Sequence, residues 1–256
     1  MVFYDSLGPS RESYFTTQLS QNNCFIYLSR KHLSNIKIFR GTIMNVLLAQ
    51  YWNVKRETED EYLTFITEEY NPVKALGLTI VGGYYVEVGV GPTTVAVMSC
   101  EDLKLANDLV ISEEYRNITN KLNLFVDNRK AALGFSTGRV SNQPCTIQEG
   151  VWKWNHSYNV RPNKKNDYKL IVSKIKEAFA QIDFAELTQE WHMLYGGAAD
   201  YILEMTFKDP IDIARLLNNQ QFRELEKLLK KEIIVDYSSR ILRSTERFDK
   251  PRWITL

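Results

Sequence analysis

The run Gly77–Cys100, GLTIVGGYYVEVGVGPTTVAVMSC, constrains the fold more than any other stretch of the chain. It is rich in Val, Ile, Thr and Tyr, whose branched or flat side chains suit a pleated surface. Val86, Val88 and Val90 alternate with Glu87 and Gly89, and Val95 and Val97 resume the alternation beyond Gly91-Pro92-Thr93-Thr94. Period two on both sides of a four-residue turn predicts a β-hairpin.

Other segments extend the pattern. Asn23–Arg30 reads as a strand, and LNLFVDNRKAALGFSTG reads as strand on both sides of a polar turn at Asp127–Lys130. In QPCTIQEGVWKWNHSYNV, Trp152, Trp154 and His156 share one face of any strand formed there. Helix is predicted over Thr42–Trp52, with Ile43, Val46, Leu47 and Trp52 on one side, and over Glu101–Leu122, broken near Ser112, a capping residue.

Beyond Arg161–Asp167, a proline-, asparagine- and lysine-rich boundary, helix dominates. Ile171, Ile175, Phe179 and Ile182 make an apolar stripe. Asp183 and Glu186 have capping-box spacing ahead of Phe184, Leu187, Trp191 and Leu194, with Gly196 as the stop. Tyr201–Phe207 is open between strand and helix. Pro210 starts a helical stretch interrupted at Asn218–Gln221. No internal repeat is evident. The expected fold is α+β, with a β-rich portion of mixed or antiparallel hairpins over residues 1–160 and a mainly helical portion over 161–256 that ends in an extended tail.

A formal net charge of +1 supplies no global field for nucleic acid or an anionic membrane. No segment reaches the roughly 20 apolar residues of a membrane helix. Asp5, Pro9 and Arg11 interrupt what a signal peptide needs as an apolar run. The expected location is therefore the cytoplasm or an assembled particle. Cys24, Cys100 and Cys145 are odd in number and far apart, which argues against a disulfide framework.

Several motifs carry chemical readings. Val86–Pro92, VEVGVGP, resembles the first motif of the Rossmann-like methyltransferases that use S-adenosylmethionine. That resemblance implies Glu87 at the acidic motif position, with Gly89 and Gly91 letting the backbone approach the cofactor. The pattern departs where a third glycine would open a helix, because PTTVAV looks like more strand. Trp152–Lys165 interleaves aromatic and basic residues, which can stack on bases and track phosphates. His32, His156 and His192 lack metal-site spacing, and His192 reads as a packed or surface residue of a helix. Cys100 precedes a helix start, where a thiolate gains stability, but a buried structural thiol is the preferred reading. Asp127, Glu149 and Lys153 lack the tight spacing of metal-dependent nucleases.

Both ends are aromatic. Phe3 and Tyr4 lie at the start, and Phe248, Trp253, Ile254 and Leu256 at the finish. Such tails can anchor a subunit on its neighbours. The leading expectation is thus a non-enzymatic assembly subunit of a larger complex, such as a virion component, contacting other protein subunits through these tails and exposed stripes of the C-terminal helices, without a cofactor. The alternatives are an S-adenosylmethionine-dependent methyltransferase using Glu87, Gly89 and Gly91, and a nucleic-acid-binding or nucleic-acid-processing protein.

Overall fold

The alternation across Gly77–Cys100 becomes a hairpin in the computed structural model, which describes residues 46–70, 76–141, 151–197 and 199–244. Strand β2 (Thr79–Val88) turns at Gly89 and Gly91 and returns antiparallel as β3 (Thr94–Cys100). Six further strands are β1 (Val46–Val54), β4 (Val126–Ser136), β5 (Trp152–Val160), β6 (Ala185–Tyr195), β7 (Tyr201–Phe207) and β8 (Ile234–Ser244). They close into an antiparallel barrel in the order β1-β3-β2-β8-β5-β7-β6-β4. The helices are α1 (Glu59–Glu68), α2 (Leu103–Ile111), α3 (Glu113–Phe125), α4 (Lys165–Phe179), α5 (Ile211–Asn218) and α6 (Gln220–Leu228). The last runs into a π-helical turn at Leu229–Ile233.

This order resolves into two ferredoxin-like βαββαβ units, β1 to β4 and β5 to β8. Within the sheet they run 4-1-3-2 and 8-5-7-6, and the units join where β2 meets β8 and β6 meets β4. Equivalent residues lie 106 to 108 positions apart. Asn53-Val54-Lys55 matches Asn159-Val160-Arg161, Tyr62 matches Tyr168, and Met98 matches Met205. Asn128 and Asp236, both third in their strands, share a left-handed φ of 53°. Ser112 caps α3 by accepting from Tyr115 N, as Asn219 caps α6 by accepting from Phe222 N. The chain is therefore an internal duplication, which corrects the expectation of no repeat.

Each unit has its own core between the outer sheet face and its helices. Leu48, Trp52, Phe65, Met98 and Leu122 fill the first; Trp154, Tyr158, Ile175, Phe207 and Phe222 fill the second. Alternate strand residues, including Leu47, Ala132, Trp191, Tyr84 and Leu242, meet inside the barrel. A strand covered on both faces loses its period-two signature.

That loss explains the main corrections. Val46–Gln50 are all buried, so an apolar run expected as helix is β1. The Leu187–Leu194 stripe, also expected as helix, is β6, where a bulge between Leu187 and Gln189 lets a helix-like spacing sit on a strand. The turn expected at Asp127–Lys130 lies inside β4, and Arg161–Asp167 is a short 3-10 turn after β5 that runs into the first turn of α4. The layout of a β-rich portion followed by a helical one is overturned, because strands and helices intersperse throughout the described residues.

Candidate functional site

Four aromatic side chains lie in one register line across the second unit and its seam with the first. Phe135 of β4 pairs with His192 of β6, His192 with Tyr201 of β7, and Tyr201 with Tyr158 of β5. Trp191 enters the barrel interior, so its neighbour His192 faces outward toward α4. The His192 ring stacks on Tyr201 at 4.8 Å and meets Phe135 edge-on at 5.1 Å. Tyr168 of α4 covers the line, 4.9 Å from Tyr201 and 5.9 Å from Tyr158.

Glu190, two residues before His192 and on the same outer face, is wholly buried. Arg139 grips it with two parallel hydrogen bonds of 2.7 Å, Nε to Oε2 and Nη2 to Oε1. The hydroxyls of Thr137 and Tyr168 also donate to it, and Tyr158 in turn lies 3.2 Å from the Tyr168 hydroxyl. Gly138, at φ 71°, makes the turn after β4 that brings Arg139 back over the sheet. With four donors, Glu190 has its acceptor capacity used and acts as an anchor. It holds the guanidinium 5.5 Å from the Tyr168 ring centre and 5.6 Å from that of Tyr201.

Burial pushes the Tyr168 hydroxyl well above its ordinary range, reinforced by Tyr158 and Glu190. Burial lowers His192, outweighing the opposing pull of Asp200, so the imidazole is neutral at neutral pH. Burial would lower Arg139 as well, but Glu190 outweighs it and the guanidinium stays charged. The half-buried cluster of Arg139, His192 and Tyr201 thus offers a neutral proton acceptor, a fixed cation and flat aromatic faces. The first unit lacks the charge: Gly83 occupies the place of Glu190, and Trp52 Nε1 donates to the Tyr62 hydroxyl at 3.0 Å where Tyr158 meets Tyr168.

The residues singled out by sequence fall elsewhere. Glu87 is an exposed hairpin residue accepting from Arg243 Nε at 2.6 Å. Strand, not helix, follows Pro92, which removes the structural basis of the methyltransferase reading. Gly89 and Gly91, at φ 132° and 104°, serve the barrel seam: a Cβ on Gly89 would sit 2.9 Å from the Ser239 carbonyl oxygen. Gly196 repeats that contact in the second unit, against the Ala131 carbonyl oxygen, 108 positions before Ser239.

Trp154 is core and Lys153 is buried against Glu204 at 2.7 Å, so Trp152–Lys165 is no stacking platform. The Cys100 thiol is pushed up to about 11 by burial, the opposite of activation. Asp127 is exposed in β4, and the described residues contain no group of three or more metal-ligating side chains. Phe3, Tyr4, His32, Glu149, Phe248, Trp253, Ile254 and Leu256 lie outside the described residues. Arg139, Glu190, Tyr168 and Tyr201 carried no motif. The Tyr62/Tyr168 match was the available signal, because it marks a position kept in both units.

No family model matches the sequence, and no curated protein does. Solved structures do share the fold. A candidate monooxygenase from Lactobacillus acidophilus NCFM is 8% identical with a TM-score of 0.56, over 78% of this chain and 94% of its own. An anthrone oxidase-like protein is 10% identical with a TM-score of 0.56, over 80% and 92%. A variant chlorite dismutase from Candidatus Nitrospira defluvii, in complex with cyanide, is 7% identical with a TM-score of 0.56, over 82% and 93%. The fold is that of these proteins. The expectation of a non-enzymatic assembly or virion subunit is overturned, since the architecture is one carried by enzyme-named chains and the described residues add nothing that favours a particle component. No helix among the described residues is long and apolar enough to cross a membrane.

Proposed function

We propose that the protein is an oxidoreductase-type enzyme acting on a small planar aromatic substrate with an acidic hydroxyl or ring C–H. Its reaction centre is the mouth formed by His192, Arg139 and Tyr201. The observation that carries this reading is the neutral His192 ring stacked at 4.8 Å on Tyr201 beside the Glu190-anchored guanidinium. A flat substrate extends the aromatic line and His192 Nδ1 or Nε2 accepts its proton. Arg139 then stabilises the resulting oxyanion without needing to reorganise, because Glu190 and the two rings already hold it. Tyr168 and Tyr158, with hydroxyls far above their ordinary range, stay protonated; Tyr168 donates to the carboxylate and Tyr158 supports the Tyr168 hydroxyl.

The names of the monooxygenase and anthrone oxidase-like structures agree with oxidation of such an anion by dioxygen. Oxygen uptake by the full chain with anthrone and hydroquinone substrates tests this. His192→Ala and Arg139→Leu should each lower kcat/KM about 100-fold or more, as expected for loss of a general base or an oxyanion partner. Unchanged rates in both variants, or no uptake and no binding by the parent protein, would overturn the proposal.

A further inference from the structure

The interior of the barrel is chemically lopsided. Its first-unit wall is apolar and aromatic, with Val95, Val97, Tyr51 and Tyr84, while its second-unit wall carries Lys153, Asn155, Glu204 and Arg240. Lys153 is paired with Glu204 at 2.7 Å and sits over the Tyr84 ring at 4.9 Å. Arg240 lies in the next register position, opposite Asn155, with its guanidinium over the Tyr51 ring at 5.5 Å. It makes no hydrogen bond or ion pair to any described residue, whereas Arg139, Arg215 and Arg243 each hold a carboxylate. Beside it, Asn155 Oδ1 is buried without a partner.

Arg240 is also held in place. A Cβ on Gly91 would come within 2.9 Å of Arg240 Nη2, and one on Gly89 within 2.9 Å of its Cγ. The glycine turn therefore folds closely over the side chain. At the equivalent place in the other unit the residue is Ala132, so the seam itself needs no arginine. Lys153 and Arg240 thus both face the barrel interior, and the Glu204 carboxylate there is already taken up by Lys153. The other charges near this mouth are either exposed, as Lys130 and Asp236 are, or already paired, as Glu87 is with Arg243.

We propose that the barrel mouth at Arg240 binds a small carboxylate, held by the free fork of the guanidinium and by the Asn155 amide after rotation. An unpaired, half-buried guanidinium supplies the planar donor geometry that a carboxylate matches, and turning the Asn155 amide replaces its unpartnered Oδ1 with the Nδ2 donor. This site faces into the barrel and is separate from the His192 mouth, which faces α4. The proposal goes beyond the oxidoreductase reading and does not depend on it.

Calorimetric titration of the full chain with sodium acetate and sodium benzoate, against a sodium chloride control, tests it. Saturable one-site binding of either carboxylate but not chloride is expected. Arg240→Lys, which keeps the charge and most of the packing, should weaken it about tenfold, the effect of losing one planar fork contact. Arg240→Gln should abolish it, and His192→Ala should leave it unchanged. If Arg240→Gln does not fold, the Arg240→Lys result decides. No saturable binding by the parent chain, or equal affinity in Arg240→Lys, would overturn the proposal, and loss in His192→Ala would move the site to the other mouth.

Discussion

Replacing His156 by the residue its own duplicate uses should make the protein more resistant to acid. His156 stands at the centre of β5 where Gln50 stands at the centre of β1. Gln50 Nε2 donates to the Tyr115 hydroxyl and its Oε1 accepts from Tyr70 at 3.3 Å. In the second unit Phe222 replaces Tyr115, and the buried His156 Nε2 has no partner. Trp154 and Tyr237 enclose the ring edge-on at 4.2 and 5.2 Å. Burial, with a smaller push from Lys230, lowers its pKa to about 3.

The unfolded chain protonates this histidine near 6.5 and the folded one does not until about 3. Between those values the unfolded state binds the extra proton. Stability is fully present above 6.5 and falls by about 1.4 kcal/mol per pH unit as the pH drops toward 3. At pH 4.5 the loss from this residue alone is about 3 kcal/mol. Urea unfolding of parent and His156→Gln at pH 8, 6 and 4.5, followed by tryptophan fluorescence, reads the difference directly. The gap between the two should change by that amount over the range, in favour of the variant at low pH. Parallel profiles would show that His156 is not held neutral and buried. Phe222→Tyr added to His156→Gln restores the duplicate's pair, and the double-mutant cycle should show about 1 kcal/mol of favourable coupling. Zero coupling would refute the equivalence of Tyr115 and Phe222.

The other predictions concern the seam, the buried carboxylate and the thiol. Gly89→Ala and Gly196→Ala should each cost about 2 kcal/mol or more in denaturant titration, since both require positive φ and abut a neighbouring carbonyl oxygen. Glu190→Gln should destabilise by about 3–5 kcal/mol by leaving a half-buried guanidinium without its anion. Glu87→Gln, where the carboxylate is 34% exposed and keeps access to water, should cost under about 1 kcal/mol. With Cys24 and Cys145 replaced by serine, Cys100 should resist iodoacetamide at pH 8 until the protein unfolds, because its thiol is pushed up to about 11. Rapid alkylation of the folded protein would contradict the burial of that side chain.

What the sequence displayed and what it concealed divide along physical lines. The Val86–Val97 hairpin was legible because its turn is a local device, glycines at 89 and 91 with positive φ between β-branched runs, although the valines read as one face divide, Val86 packing inside and Val88 and Val90 standing exposed. The helix break at Ser112 was legible because a cap is a local device. Strand β1 was not, because interior and helix layer bury both faces and leave a continuous apolar run. The duplication was hidden for another reason: packing preserves shape and volume, not identity. Trp52 and Tyr158, Val97 and Glu204, and Gly83 and Glu190 are equivalent in register yet unlike in chemistry.

The same divergence locates the candidate chemistry. Positions the units share hold the barrel together: the α1 and α4 tyrosines, the capped helix starts and the glycine turns at both seams. Positions where they differ hold nearly all the inward or buried charge, and every one of those charges belongs to the second unit or is held by it: Lys153, Glu190, Glu204 and Arg240, with Arg139 reaching across from the end of the first. A buried charge costs several kcal/mol unless fully paired, so drift alone would tend to remove such groups from a core that folds without them in the twin unit. Gly89, matched by Gly196, therefore belongs to the shared scaffold, and the chemistry belongs to the residues by which the second unit departs from it.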